Sequence, residues 1–192
     1  MNPILKAFPQ TFDTERLTIR CPLPGDGVLV RNAALESQAE LKQWLPWAVD
    51  IPDEEEYEVK IREGNVRWLL REDLWMMIFL KGTNTLIGGS GLHRIDWDVP
   101  KFEIGYWVAT AYAGNGYITE AVEAITAFAF ETLAAARVEI RCDENNTRSA
   151  AIPRRLGFVH EGTLRRDARH HLTKALRNTM VFSKIKEDRG ER

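Results

Sequence analysis

The segment from Phe102 to Phe130 limits the possible folds of this chain more than any other part of the sequence. Its first residues, Phe102 to Val108, are rich in β-branched and aromatic side chains, which predicts a strand. A glycine-containing loop, Ala113 to Tyr117, follows that strand. From Thr119 onward apolar residues recur at helical spacing, so we expect a helix to begin there. The segment therefore predicts a strand, a glycine loop and a helix in direct succession.

This succession is a common anion-binding arrangement. The first N–H groups of a helix have no partner within it, and the helix dipole places partial positive charge at the same end. Glycines allow main-chain N–H groups to approach a phosphate that a Cβ atom would hold away. An ordinary strand-to-helix turn would show the same residues, so this segment alone leaves both interpretations open. The loop is not a P-loop, because Tyr117 and not Lys follows Gly116, and Thr119 stands where a dinucleotide fingerprint needs a third glycine.

The composition favours one globular domain that binds neither nucleic acid nor membrane. The chain has 192 residues, of which 44% are hydrophobic and 28% charged, enough for a single core. A net charge of −2 argues against binding nucleic acid through its phosphates, and no apolar run approaches membrane length. Cys21 and Cys142 suit neither a disulfide framework nor a metal site, which favours the reducing cytoplasm. We expect one domain over residues 1–192, with a core from about 12 to 186.

The residues before the central strand predict an antiparallel meander. Strands are predicted over Glu15 to Arg20, Leu74 to Leu80 and Leu86 to Ile95, with helices over Val28 to Leu41 and Asp53 to Leu70. The third of these strands contains Gly88, Gly89 and Gly91, which indicates a bulge or a close approach of the backbone.

The residues after the central helix predict a crossover and a closing strand pair. A strand over Val138 to Cys142 predicts parallel pairing with the central strand, and ligands favour the carboxyl ends of parallel strands. This placement favours the phosphate interpretation of the loop. The remaining elements are a short helix over Asn145 to Arg155, strands over Phe158 to Arg166 and Asn178 to Ile185, and a charged tail over Glu187 to Arg192.

Two motifs in register resemble those of the GNAT acyl-CoA N-acetyltransferases. The glycine loop is similar to the pyrophosphate loop of that family, Arg/Gln-x-x-Gly-x-Gly/Ala, with Gly114 and Gly116 at its small positions. Ala111 stands where the family usually has Arg or Gln, which removes one side chain but no main-chain donor. Asn146-x-x-Ser149, followed eight residues later by Gly-Phe, resembles the distal motif.

The resemblance extends over nearly the whole chain and is closest to the Rim-type (RimJ/RimL-like) branch. It includes Thr14-Glu15-Arg16-Leu17, the Trp-Leu-Pro-Trp run from Trp44 to Trp47, and Glu-Ile-Gly-Tyr-Trp from Glu103 to Trp107. That branch acetylates the amino termini of ribosomal proteins. The implied activity is transfer of an acetyl group from acetyl-CoA to a primary amine.

The resemblance also implies a fold and a set of cofactor contacts. The fold is α+β, in α/β/α layers: a mixed, mostly antiparallel sheet with flanking helices, splayed between its fourth and fifth strands. Pantetheine would lie in that opening against the backbone near Trp107 and Val108. Asn146 would bond the pantetheine arm, with Ser149 beside it. The pyrophosphate would bind the backbone of six loop residues: Ala113, Gly114, Asn115, Gly116, Tyr117 and Ile118.

Amine acetylation requires that the amine lose a proton, that the thioester carbonyl be polarised and that the departing thiolate be neutralised. Orientation alone can supply ~7–11 kcal/mol of the barrier, so a full triad is not needed. Glu103 is the candidate base, directly or through water, because burial could raise the pKa of its carboxyl. The alternative is a structural partner for Lys101 or Arg94. His93 could share the site with Glu103, since histidine suits base chemistry near neutral pH.

Ser149 is the candidate acid for the thiolate. Many GNAT enzymes carry a tyrosine four residues later, where this chain has Pro153, and Rim-type relatives carry serine at the earlier position. The alternative is a serine that caps the short helix. Pro153 also leaves the Ser149 carbonyl without its usual helical donor. We expect direct transfer in a ternary complex, without an acyl-enzyme on Cys142.

The sequence leaves the acceptor open. Trp44 and Trp47 form either one wall of an acceptor pocket or a hydrophobic plug, and Asp167 is a candidate for the pocket entrance. An amino-terminal peptide, a polyamine and an aminoglycoside all fit the chemistry. Two other functions stay open at this stage, a non-catalytic CoA-binding module and an enzyme that binds NAD at Gly114 and Gly116. Relatives often pair, so a homodimer is a further expectation.

Overall fold

The chain folds around one eight-stranded mixed sheet. The structure is a computed structural model, and it describes residues 2–186. The strands are β1 Thr11–Asp13, β2 Leu17–Arg20, β3 Leu74–Leu80, β4 Leu86–Asp96, β5 Lys101–Val108, β6 Arg137–Asp143, β7 Val159–Arg169 and β8 Leu176–Ile185. Their order in the sheet is β1-β2-β3-β4-β5-β6-β8-β7, and the only parallel neighbours among residues 2–186 are β5 and β6. The predicted meander and the predicted parallel pairing are both confirmed.

Five α-helices accompany the sheet within residues 2–186. They are α1 Gly27–Glu36, α2 Gln38–Leu41, α3 Glu54–Leu70, α4 Tyr117–Glu131 and α5 Thr147–Arg155. Asp53 caps α3, since its Oδ1 accepts from the N–H of Glu56 over 2.9 Å. The single helix predicted over Val28 to Leu41 is wrong in one respect, because Ser37 divides this segment into two helices, α1 and α2. The Oγ of Ser37 accepts from the N–H of Thr110 over 2.9 Å and so links this break to the end of β5.

Helices cover both faces of the sheet, because successive residues of β3 are buried in two different clusters. Met76 and Ile78 belong to a core that includes Ile125 of α4. Met77 and Phe79, on the opposite face, pack in a second cluster with residues of α1 and α3. The alternation places α4 on one face and α1 with α3 on the other. This is the α/β/α arrangement expected from the sequence.

The sheet opens between β5 and β6. The two strands pair over three residues, with Lys101, Phe102 and Glu103 opposite Arg137, Val138 and Glu139. Beyond these pairs β5 continues to Val108 and β6 to Asp143, and no further pairing joins them within residues 2–186. The opening was predicted between the fourth and fifth strands. The number differs by one because the short strand β1 was not foreseen.

Most predicted strand boundaries agree within a few residues, and two differences concern the site. Helix α4 begins at Tyr117 and not at Thr119. Strand β7 continues to Arg169, so Asp167 lies within it and not beyond it. The predicted tail from Glu187 to Arg192 lies outside the described residues. Strands from Thr11 to Ile185 join one sheet, and the single domain over 1–192 stays a prediction. Among residues 2–186, no helix combines the length and apolar character needed to cross a bilayer.

Candidate active site

The glycine loop depends on its glycines for backbone conformation. Gly114 has φ +81° and Gly116 has φ +79°, in the left-handed region that other residues rarely adopt. A Cβ atom built on Gly114 would meet nothing within 4 Å. The glycines are therefore needed for the turn itself, and crowding by protein atoms is not the reason for them. Gly116 is the N-cap residue of α4 and directs the helix out of the turn.

The amino end of α4 presents main-chain donors. Within residues 2–186, the N–H groups of Gly116, Tyr117, Ile118 and Thr119 have no hydrogen-bonded protein acceptor, and the helical pattern begins with Glu120 N–H to Gly116 C=O over 3.1 Å. Asn115 stabilises the loop, because its side-chain amide donates to the carbonyls of Tyr112 and Ala113. Four free amides at a helix start are donors of the kind that an anion-binding site requires.

The opening beside this loop contains a pair of hydroxyl groups. Tyr106, on β5, donates its phenol hydrogen to the main-chain carbonyl of Ser149 over 2.8 Å. The Oγ of Ser149 donates to the phenol oxygen over 3.2 Å. Pro153 has no N–H with which to bond that carbonyl, so Tyr106 takes the place of the helical donor. Burial raises the pKa of the Tyr106 phenol, which keeps it protonated as a donor.

Ser149 is not the capping residue of α5, so the alternative proposed for it is wrong. Asn146 is the N-cap, and its Oδ1 accepts from the N–H of Ser149 over 3.0 Å. This contact uses the amide oxygen of Asn146 and leaves its side-chain NH₂ group available to another acceptor. Cys142 is buried nearby, and burial raises the pKa of its thiol. A thiol held protonated is a poor nucleophile, which agrees with direct transfer.

A cavity of about 460 Å³ lies on the face of the sheet covered by α1 and α3. Its lining combines aromatic side chains with charged ones, among them Trp47, Tyr57, Trp75, Asp73, Lys60 and Glu63. The β5 residues Gly105, Tyr106 and Trp107 also line it, and they belong to the part of β5 that has separated from β6. The cavity and the opening therefore meet at the same three residues of β5.

Trp107 reaches this position because β4 has glycines opposite it. A Cβ atom on Gly89 would lie 2.5 Å from the indole Nε1 of Trp107, and one on Gly88 would lie 2.3 Å from the Trp107 carbonyl oxygen. The close approach predicted from the glycines of β4 is thus confirmed. Trp47 packs edge-on against Trp107, with ring centroids 5.6 Å apart.

His93 lines the cavity as one member of an acid–imidazole pair. Its Nδ1 lies 2.7 Å from Oδ2 of Asp73. The ring lies over the backbone of Gly91, where a built Cβ would be 2.8 Å from Nε2. With Nδ1 held by a carboxylate, Nε2 is the nitrogen left to accept a proton. Sequence analysis did not find Asp73, because nothing in the local pattern links it to a histidine on the next strand.

Glu103 is the cross-strand neighbour of His93 but does not line the cavity. Its side chain is 18% exposed, and Arg94 Nη1 lies 3.4 Å from its Oε2. Within the described residues that oxygen is buried without a hydrogen-bond partner. Burial raises the pKa of the Glu103 carboxyl, partly offset by the charges of Arg94 and Arg141. This position is compatible with two roles for Glu103. It could accept a proton relayed through His93, and it could pair structurally with Arg94.

Two of the candidate acceptor-site residues, Trp44 and Asp167, do not line this cavity. Trp44 is 39% exposed and is absent from the cavity lining, unlike Trp47. Asp167 is also absent from the lining, and its Oδ2 lies 3.5 Å from the guanidinium of Arg141 on β6. Along the described chain, no group of three or more His, Cys, Asp or Glu side chains is arranged to hold a metal ion.

Comparison with known proteins gives the family. Residues 16–159 match the acetyltransferase (GNAT) domain. A Bacillus subtilis protein named "Putative ribosomal N-acetyltransferase YdaF" is 32% identical over 152 residues, which cover 79% of this chain and 82% of that protein. The ribosomal-protein-serine acetyltransferase of Escherichia coli is 31% identical over 125 residues, 65% of this chain and 69% of that one. A crystal structure of a probable acetyltransferase superposes with a TM-score of 0.85 at 28% identity, over 93% of this chain and 98% of the other.

These matches confirm the family and the fold expected from the sequence. The chain belongs to the GNAT family and transfers an acetyl group from acetyl-CoA to an amine.

Proposed function

We propose that the acceptor is the α-amine at the amino terminus of a protein, with ribosomal proteins as the substrate class. The main support is the way the cavity joins the opening at Gly105, Tyr106 and Trp107. An extended amino terminus entering the cavity would bring its amine to the separated half of β5, where a thioester in the opening could be attacked. Two relatives carry names that refer to ribosomal acetyltransfer, which agrees with this acceptor.

Acetyl-CoA would bind across the opening and the glycine loop. Its diphosphate would accept from the free amides of Gly116 to Thr119, of which the first three belong to the predicted stretch Ala113 to Ile118. Pantetheine would lie along the unpaired side of β5 at Trp107 and Val108, and the side-chain NH₂ of Asn146 is placed to donate to it. The residues present therefore fit the cosubstrate through main-chain donors and one amide.

His93 and Glu103 are the candidates for accepting the amine proton, and the geometry ranks His93 first. His93 lines the cavity and is oriented by Asp73, whereas Glu103 reaches the cavity only through His93 or a water. The neutral amine then attacks the thioester carbon, the C–N bond forms, and the C–S bond breaks. The nitrogen then loses its second proton, which passes through the Ser149 hydroxyl to the departing sulfur, so the products are the amide and CoA thiol, and the proton on His93 returns to solvent.

Trp47 would form the wall of the acceptor site, because it lines the cavity and packs on Trp107. Trp44 and Asp167 have no contact that supports such a role. A cytoplasmic location and a homodimer stay predictions. Sedimentation equilibrium of the purified protein would test the second of them.

Mass spectrometry of reaction mixtures tests the acceptor. Acetyl-CoA would be combined with a short peptide that begins with serine, with the same peptide blocked at its α-amine but containing lysine, with spermidine, and with an aminoglycoside. Acetylation of the free α-amine alone would support the proposal. If spermidine or the aminoglycoside is acetylated and the peptide is not, the function would be acetylation of a small-molecule amine. CoA binding without any turnover would indicate a regulatory module.

A further inference from the structure

The first turn of α4 carries an acid where a diphosphate-binding helix would be expected to avoid one. Glu120 is the first residue to bond back into the helix, directly after the free amides of Gly116 to Thr119. Burial raises the pKa of its carboxyl, but hydrogen bonds from Thr14 and Arg16 and the charge of Arg16 outweigh burial and hold the pKa below its usual value. Glu120 is therefore an anion one turn into the proposed phosphate site.

Arg16, at the edge of β2, neutralises this carboxylate. Its Nε and Nη2 both lie 2.6 Å from Oε2 of Glu120, and its main-chain N–H donates to Oε1 over 2.9 Å. The same guanidinium donates through Nη1 to the carbonyl of Asn115 over 3.1 Å and lies 4.6 Å above the ring of Tyr117. Arg16 thus contacts the glycine loop and the first turn of α4 together.

The position of Arg16 relates to a gap in the loop motif. Ala111 replaces the basic or amide side chain of the usual pattern and is exposed at the start of the loop. Arg16, which directly precedes β2, supplies a guanidinium to the same loop. It lies 104 positions before Glu120 in the sequence. A Cβ atom on Gly116 would lie 3.6 Å from Nη2 of Arg16, so the cation borders the loop residue nearest the free amides.

We propose that Arg16 is a positioning residue for acetyl-CoA, which makes the loop acceptable to a diphosphate by cancelling the charge of Glu120. The proposal rests on the placement of the diphosphate at this loop. Like charges at short range in a partly buried site oppose binding, and an arginine held by two nitrogens on one carboxylate removes that opposition. Arg16 acts through Glu120, and catalysis at the β5 opening does not involve it.

A purely structural role would give a different result in a double-mutant cycle. If Arg16 only ties the loop to β2, removing Glu120 as well cannot restore what Arg16→Ala loses. If Arg16 acts by charge, the pair Arg16→Ala with Glu120→Gln restores neutrality, and cofactor affinity returns. Gln keeps an oxygen that can accept from Thr14 and the Arg16 N–H, so the helix start is preserved.

The experiment measures CoA dissociation constants by calorimetry and KM for two acetyl donors in the full-length enzyme. The variants are Arg16→Ala, Glu120→Gln and the double variant, with Arg62→Ala as matched control. Arg62 forms an exposed ion pair with Glu58 on α3, away from the loop. The donors are acetyl-CoA and acetyl-pantetheine, which lacks the diphosphate.

Arg16→Ala should raise the dissociation constant of CoA on the order of tenfold, which is the effect of one unbalanced charge at short range. The increase should be smaller at high salt. Glu120→Gln should bind CoA more tightly than wild type, the double variant should return to near wild type, and Arg62→Ala should not change affinity. KM for acetyl-pantetheine should be the same in all four. Any of three results would overturn the proposal. CoA binding could be weakened equally in Arg16→Ala and the double variant, Arg16→Ala could have no effect on it, or KM could rise equally for both acetyl donors. Wild-type turnover of acetyl-CoA in the same assay tests the proposed function separately.

Discussion

The phenol of Tyr106 donates to the main-chain carbonyl of Ser149 over 2.8 Å, across the opening between β5 and β6. The bond exists because Pro153 cannot donate to that carbonyl. It fixes Ser149, whose own hydroxyl donates back to the phenol oxygen. The carbonyl that an α5 main-chain N–H would ordinarily bond is thus bonded by a tyrosine on a strand.

Tyr106→Phe should lower kcat about 100-fold, the lower end of the range for acid–base catalysis, because the Ser149 hydroxyl loses the phenol oxygen that orients it. The KM for acetyl-CoA should change little. It should also destabilise the protein by about 1–3 kcal/mol, because the Ser149 carbonyl loses its partner. Adding Pro153→Ala restores a helical N–H for that carbonyl. The double variant should regain stability in thermal unfolding but not kcat. Recovery of kcat together with stability would mean that Tyr106 is structural only.

Gly114→Ala should raise KM for acetyl-CoA at least about tenfold, because φ +81° is strained for alanine by about 1–2 kcal/mol and relaxation would move the amides. Gly82→Ala is the matched control. Gly82 has φ +74°, and its Cβ would likewise meet nothing within 4 Å. Both variants should lose similar stability in urea unfolding. The loop would have no part in cofactor binding if steady-state kinetics showed the same KM in both.

His93→Gln should reduce kcat/KM about 100-fold or more, the range for removing a general base. Glu103→Gln should reduce kcat/KM by much less, because Glu103 does not line the cavity. Asp73→Asn should also lower kcat/KM, since the tautomer of His93 is then set differently. A loss of about 100-fold in Glu103→Gln with little loss in His93→Gln, measured by steady-state kinetics, would assign the base to Glu103.

Glu103→Gln should raise the Tm at neutral pH and lose this advantage in acid. Burial raises the folded-state pKa of Glu103 above its usual 4.5, so the wild-type carboxyl contributes stability fully below pH 4.5. That contribution is lost as pH rises through the folded-state pKa. The difference in Tm between variant and wild type should therefore grow from acid to neutral pH in differential scanning calorimetry. A constant difference would show that Arg94 offsets burial completely.

Trp47→Ala should raise KM for the peptide acceptor and leave KM for acetyl-CoA unchanged, because Trp47 lines the cavity and not the loop. Trp44→Ala is the control. Trp44 has the same 39% exposure but does not line the cavity. Steady-state kinetics with both substrates varied would compare the two. Equal effects of the two substitutions would place the acceptor elsewhere.

The fold could be predicted from the sequence because its signals are local. Alternation gave the strands, acids after Asp53 gave the start of α3, and the paired glycines gave the loop before α4. The side-chain partners could not be predicted in the same way. Asp73, which precedes β3, meets His93 on β4, and Tyr106 and Ser149 are 43 positions apart. Periodicity defines which face a residue occupies, whereas the partner on that face depends on register, bulges and the glycines that admit large rings.

A crystal structure of the complex with CoA tests the central claim most directly. The account predicts diphosphate oxygens within about 2.7–3.2 Å of main-chain nitrogens among Gly116, Tyr117, Ile118 and Thr119, with pantetheine between β5 and β6. A coenzyme bound at another surface, with those four nitrogens facing only solvent, would contradict it.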